Sequence, residues 1–289
     1  QHSGSPAVAS VAKGERVKLF DVIAKAIGAV SCDVHSPVSG VVEAVDEYAH
    51  PYYKYSQGIV IAADPPGEES GALSFNEAQR FEIDEIAELA KKCSVIDTVS
   101  GNKPLHSKLS GLKPSQVHYF IVSFVQNEPY IHNMETISHN YMDEIISSVS
   151  YLGDALSPAF IFLAIPYHMI KLITAIDNKL NKNRAEYKNF KIVRVTDKYP
   201  QANELILASS ILKTKINPSK ILQNHKCLIL DASTMFHLYE ALKFKKPQID
   251  CHLTVSGYGI TKPANVKARI GTYISDIVEQ CGGFCGNVN

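Results

Sequence analysis

Charge of neither sign is in excess: 29 lysines and arginines cancel 29 aspartates and glutamates over 289 residues. No net field therefore draws the chain to nucleic acid or to an anionic lipid surface. An uninterrupted apolar run is also missing, because the most apolar stretch, Ala155 to Ile176, is broken by Pro158, Pro166, His168 and Lys171. That argues against insertion into a membrane and predicts a buried strand followed by a helix. The six cysteines are scattered, and only Cys281 and Cys285 lie close together, so a disulfide framework is disfavoured and a reducing compartment expected. That pair, separated by GGF, lacks the CxxCxxC run of an iron-sulfur ligand set. His132 and His139 are seven apart with no cysteine to complete a metal set, and read as surface or core histidines. No GxxxxGK[ST] loop, HExxH helix or GxSxG elbow occurs, which removes the commonest hydrolase readings. No signal peptide opens the chain, and a start at Gln1 suggests an excised piece.

What is present is ordinary globular material, 45% hydrophobic and 20% charged, long enough for two or three domains. Residues 1–66 are dense in valine, glycine and proline, with short alternating runs at Val17–Ile23, Asp33–Val38, Val41–Val45 and Gly58–Ile61. Frequent turns between short strands predict a small β-barrel or sandwich. A turn-rich linker over Ala62–Ala72 follows. The period then changes. Ser74 and Glu77 form a capping box for a helix reaching about Lys92, with Ile83, Ile86, Ala87 and Ala90 on one face. Beyond it, strands at Val117–Val125, Ala159–Ile165, Phe190–Val195 and Cys227–Leu230 alternate with helices at Glu135–Leu156, Tyr167–Leu180, Gln201–Leu212 and Thr234–Leu242. Such alternation predicts a mostly parallel sheet covered on both faces, an α/β domain over 74–245. Residues 250–289 form a third unit, in which Leu253–Gly283 reads as strand, Gly-Tyr-Gly turn, second strand and a short helix stopped by Gly282-Gly283.

The fold class is therefore α/β, with a biotinyl- or lipoyl-like barrel, a Rossmann-like parallel domain and a β-grasp. Carriers of the first type need a lysine at a hairpin tip, and SCDVHSPVSG at Ser31–Gly40 has none, so covalent cofactor attachment is disfavoured. Four segments then occur in a telling order. SGSPAVASVAKGERV with DVHSPVSGVV comes first, then PLHSKL at Pro104–Leu109, NEPYI at Asn127–Ile131 and KYPQANE at Lys198–Glu204, ahead of the β-grasp. In that order they resemble RnfC, a component of the Rnf electron-transport complex, and more distantly the flavin subunit of respiratory NADH dehydrogenase. The resemblance implies a soluble-ligand-binding β-grasp (SLBB), FMN and NADH as cofactors, and other subunits of a membrane-bound electron-transport complex as partners. It also implies a peripheral place on the cytoplasmic face of the inner membrane, with 4Fe-4S clusters only in a downstream domain.

By the same resemblance Gly101, Lys108, Glu128, Tyr130, Asp231 and Thr234 are the cofactor-binding residues, with Lys108 near the phosphate. The family's glycine-rich flavin loop corresponds here to IDTVSGNKPLHSKL, in which Gly101 alone remains of the run and Val99 and Asn102 stand at glycine positions. Glycines there let backbone N–H groups approach a phosphate without a Cβ in the way. Glu128 accepts from a ribityl hydroxyl or a nicotinamide cofactor, caps the helix beginning near Glu135 or simply faces solvent, and Asp231 either meets a sugar hydroxyl or caps the next helix. Two functions lead, ahead of a third, a carrier or sugar-binding module built on the barrel and the β-grasp. One is an electron-transfer subunit passing electrons between NADH, FMN and iron-sulfur clusters; the other is a divergent docking scaffold that has lost its flavin.

Overall fold

The computed structural model describes residues 2–50, 54–65, 80–99, 101–126, 128–216 and 225–286. The amino-terminal unit is two small sheets facing each other. One joins β1 (Val8–Ala9), β3 (Val22–Lys25) and β4 (Val34–His35); the other joins β2 (Arg16–Val17), β5 (Gly40–His50) and β6 (Lys54–Ala63). The expected strand Val17–Ile23 is two strands in different sheets. Phe20, at a φ of 76°, turns the chain from one sheet to the other and donates its N–H to Ser36 O at 3.0 Å. Val17, Ile23 and Val42 are buried together, with Val11, Val34, Val45, Ile59 and Ile61 packed around them. The β5–β6 hairpin begins with a close approach of two backbones: a Cβ at Gly40 would stand 2.1 Å from Ala62 O.

Next come α1 (Ile83–Lys92), a short pair β7 (Ile96–Asp97) and β8 (Lys103–Pro104), and α2 (His106–Leu109). Ile83, Ile86, Ala87 and Ala90 are buried, as their helical spacing predicts. The capping box expected at Ser74 and Glu77 lies outside the described residues.

The central unit is a four-stranded parallel sheet in the order β11 (Phe190–Val195), β10 (Phe160–Pro166), β9 (Tyr119–Ser123), β12 (Cys227–Asp231). Its period of two sorts residues into two cores. Phe120, Val122, Leu163, Leu228 and Leu230 face a large core with α1, α4 (Met142–Leu156), α5 (Ile170–Lys182) and α7 (Ala232–Phe244). Ile121, Ala164 and Ile229 face a smaller one under α6 (Glu204–Leu212). Burial on both faces explains why these strands read as continuous apolar runs.

Two expected helices differ in detail. Glu135–Leu156 is broken into α3 (Asn133–Asn140) and α4 at Tyr141, whose ring stacks on Phe236 with centroids 4.1 Å apart. The helix expected from Gln201 starts at Glu204 instead, where the Asn203 side chain accepts from Leu205 N at 3.0 Å. Pro200 lies in the turn ahead of this helix.

The last unit pairs β13 (Asp250–Val255) with β14 (Ala264–Arg269) antiparallel, followed by α8 (Ile274–Gln280) and the left-handed glycines Gly282 and Gly283. Several hydrogen bonds among the described residues tie the barrel to the rest. Ser94 Oγ donates to Asp33 O at 2.7 Å, Ser3 N to Asn102 O at 2.8 Å, and Arg269 Nη1 to Pro37 O at 2.7 Å. Among the described residues no helix is long and apolar enough to cross a membrane.

Candidate functional site

In an open parallel sheet, ligands lie beyond the carboxyl ends of the strands, where the strand order reverses. Here β9, β10 and β11 run outward in one direction and β12 returns to the other side of β9, so the reversal falls between Ser123 and Asp231. Asp231 is fully buried at the end of β12 and caps α7, accepting from Thr234 N at 2.7 Å and from the Thr98 hydroxyl. Burial pushes its carboxyl up, and the Thr98 and Thr234 bonds only partly oppose this. Thr234 Oγ1 accepts from Thr98 N and donates to Ile96 O, both at 3.4 Å.

Lys108, from α2, reaches the same place. Its Nζ donates to Asp97 Oδ2 at 2.9 Å, Glu204 Oε1 at 2.8 Å and Ile229 O at 2.7 Å. Burial alone would lower this ammonium, but Asp97 and Glu204 outweigh it and hold the group above its ordinary value. Asp97, 1% exposed, also accepts from Val99 N. Lys108, Asp231 and Thr234 are thus brought together through Asp97 and Thr98.

The other three predicted residues are elsewhere. Glu128 and Tyr130 are exposed, and they line a cleft of about 120 Å³ with His168, Asp197 and Tyr199. Tyr130 has a φ of 64°, uncommon for an aromatic residue. Gly101 is the exposed tip of the 97–109 segment; its carbonyl accepts from the Ser3 hydroxyl. That tip borders a groove of about 1030 Å³ between the barrel and Arg269–Thr272.

Comparison with known proteins matches three family models along the chain: the RnfC barrel sandwich hybrid domain over residues 1–66, the Nuo51 FMN-binding domain over 91–240 and the SLBB domain over 253–289. The chain belongs to the Nuo51 FMN-binding domain family. It is RnfC-like over nearly its whole length. The RnfC component of the proton-translocating ferredoxin:NAD(+) oxidoreductase complex of Clostridium ljungdahlii is 26% identical, covering 98% of this chain and 61% of that protein. Its counterpart in the ion-translocating oxidoreductase complex of Rhodobacter capsulatus is 27% identical over 98% of the chain and 54% of its own length. The corresponding component of the Na(+)-translocating ferredoxin:NAD(+) oxidoreductase complex of Acetobacterium woodii is 22% identical over 98% and 63%. The chain therefore spans little more than half the length of these relatives. A crystal structure of NAD+-reducing [NiFe]-hydrogenase in the H2-reduced state shares the fold with a TM-score of 0.60, at 12% identity, over 70% of this chain and 39% of that one.

The residues of this Nuo51-type domain do not fit an FMN phosphate at the 97–109 segment. A dianion beside Lys108 would meet the carboxylates of Asp97, Glu204 and Asp231 against a single ammonium whose bonds are already made. Gly101 answers to its left-handed φ of 76° and not to a close backbone approach, since a Cβ there would meet nothing within 4 Å. Asp97, Thr98 and Glu204 were not singled out in the sequence, although Asp97 and Thr98 stand in the stretch that corresponds to the flavin loop and Glu204 closes KYPQANE. Their pairing with Lys108 joins positions up to 96 residues apart, which no local spacing announces.

Proposed function

We propose that this chain is part of the RnfC component of an Rnf-type ion-translocating NAD:ferredoxin oxidoreductase, a peripheral electron-transfer subunit on the cytoplasmic face of the membrane. The observation that carries this reading is the order of the three matched domains, in a chain that aligns with RnfC relatives over 98% of its length. In that reading NADH and FMN serve the complex, iron-sulfur clusters belong to the part of the relatives' length that this chain does not span, and the membrane subunits are its partners. The test is to express the tagged chain with the membrane subunits of such a complex. Co-purification with them supports the assignment, and recovery of the chain alone from solubilised membranes overturns it.

Lys108 favours a second reading of the same protein, in which the fold is kept for docking and the flavin is not held at this loop. FMN titrated into the purified chain is then expected to keep its free fluorescence at saturating concentration. Quenching with a saturable, micromolar midpoint removes the docking reading and restores the flavin one.

A further inference from the structure

Away from the sheet's carboxyl edge, four side chains with metal-binding chemistry meet where the central domain joins the β-grasp. His237 and Glu240 stand three residues apart on one face of α7, and Asp250 and His252 stand two apart on one face of β13. One ligand atom from each of His237, Glu240 and Asp250 lies within 4.8 Å of the others. The rings of His237 and His252 have centroids 6.2 Å apart. All four are buried or half-buried, His237 and Asp250 almost completely.

The carboxylates divide their oxygens between two tasks. Lys246 Nζ holds the outer pair, at 2.6 Å from Glu240 Oε1 and 3.1 Å from Asp250 Oδ2, and Lys267 Nζ adds a contact to Asp250 Oδ2 at 3.4 Å. The inner oxygens are treated differently. Glu240 Oε2 faces His237 Nδ1 at 3.3 Å, while Asp250 Oδ1 is buried with no hydrogen-bond partner, on a side chain only 10% exposed. His252 Nδ1 is buried and without a partner as well. Two orphaned polar atoms in one cluster are costly when nothing fills the gap, because buried polar atoms are almost always paired.

We propose that His237, Glu240, Asp250 and His252 form a binding site for one divalent transition-metal ion of the zinc class. His237, Glu240 and Asp250 already hold three donors within reach of one ion, and His252, beside them with its unpartnered Nδ1, completes a four-coordinate shell for a borderline-soft ion by a shift of its ring. Lys246 and Lys267 take the outer role of hydrogen-bonding the ligating carboxylates. Their two positive charges already balance Glu240 and Asp250, so the ion binds less tightly than at a lysine-free site. The ion links α7 to β13, and with them the central domain to the β-grasp, which makes its role structural. The site is independent of the flavin segment and of whether the chain docks in a membrane complex.

The purified full chain, stripped with a chelator, is titrated with Zn2+ by calorimetry, and the loaded protein is measured by X-ray absorption at the zinc edge. The expected result is one ion per chain with a nitrogen and oxygen shell at about 2.0–2.1 Å. His237→Gln and His252→Gln each weaken binding by at least about tenfold, since loss of an outer hydrogen-bonding partner alone costs that much, while circular dichroism stays unchanged. Absence of saturable binding overturns the proposal. So does a sulfur shell at about 2.3 Å, which would assign the ion to cysteines such as Cys251, and so does a folded His252→Gln chain that binds as the wild type does. Where a variant fails to fold, the shell measured on the wild-type chain decides.

Discussion

Lys108 and the acids around it are a buried ion network, and such networks behave asymmetrically. Replacing the whole by apolar groups costs little, whereas removing one partner strands the others. Lys108→Met leaves Asp97 without its cation and is expected to cost roughly 3 kcal/mol in urea unfolding, part of which Asp97→Asn recovers when added. Asp231 behaves differently because burial raises its folded pKa above the ordinary 3.8. A raised carboxyl contributes fully below that value and loses its contribution as the pH climbs through the folded value. Asp231→Asn keeps an acceptor for Thr234 N and has nothing to ionise, so its urea midpoint is expected to gain on wild type as the pH climbs from about 3.5 to about 7. A gap that narrows over that range contradicts the assignment. Of these partnerships only the Asp231 cap on Thr234 N is visible in local sequence. Lys108, Asp231 and Thr234 stood out by resemblance, but what else they touch depends on Asp97, Thr98 and Glu204, which tertiary packing alone brings near.

At the scale of elements, legibility follows burial. The four parallel strands were readable because burial on both faces makes them continuous apolar runs, and α1 because its buried positions keep a period of 3.6. The break at Tyr141 was not, since the apolar spacing on each side is helical and the ring that interrupts it answers to Phe236, 95 positions away. The turn at Phe20 escaped for a similar reason: Phe has no preference for the left-handed region that the fold imposes on it. Two glycines separate backbone constraint from side-chain constraint. Gly40→Ala drives a Cβ into the Ala62 carbonyl, which cannot move without opening the β5–β6 hairpin, and is expected to cost about 3 kcal/mol. Gly153→Ala in α4 meets only the flexible end of Ile161, at 2.6 Å, and is expected to cost about 1 kcal/mol. Thermal unfolding of the pair checks the order, and equal losses would contradict it.

For the whole molecule, the order of three units was legible because each carries its own period, and the disagreement between scaffold and flavin segment was legible in the lost glycines; what the placed side chains add is the ring of acids around Lys108. The match to an FMN-binding family describes how the backbone runs. The acids around Lys108 determine which anion that backbone tolerates.

The ties from Ser3 to Asn102, from Asp33 to Ser94 and from Pro37 to Arg269 reach across 99, 61 and 232 positions of the chain. A protease site engineered between Asp64 and Arg80 is therefore expected to give a cut chain that still elutes as one particle on gel filtration and separates only in denaturant. Early release of the barrel from the cut chain would show these ties too weak to matter. Continuity of the polypeptide and cohesion of the particle are separate properties here, so the first sixty residues and the remainder are candidates for a split protein that reassembles from two chains.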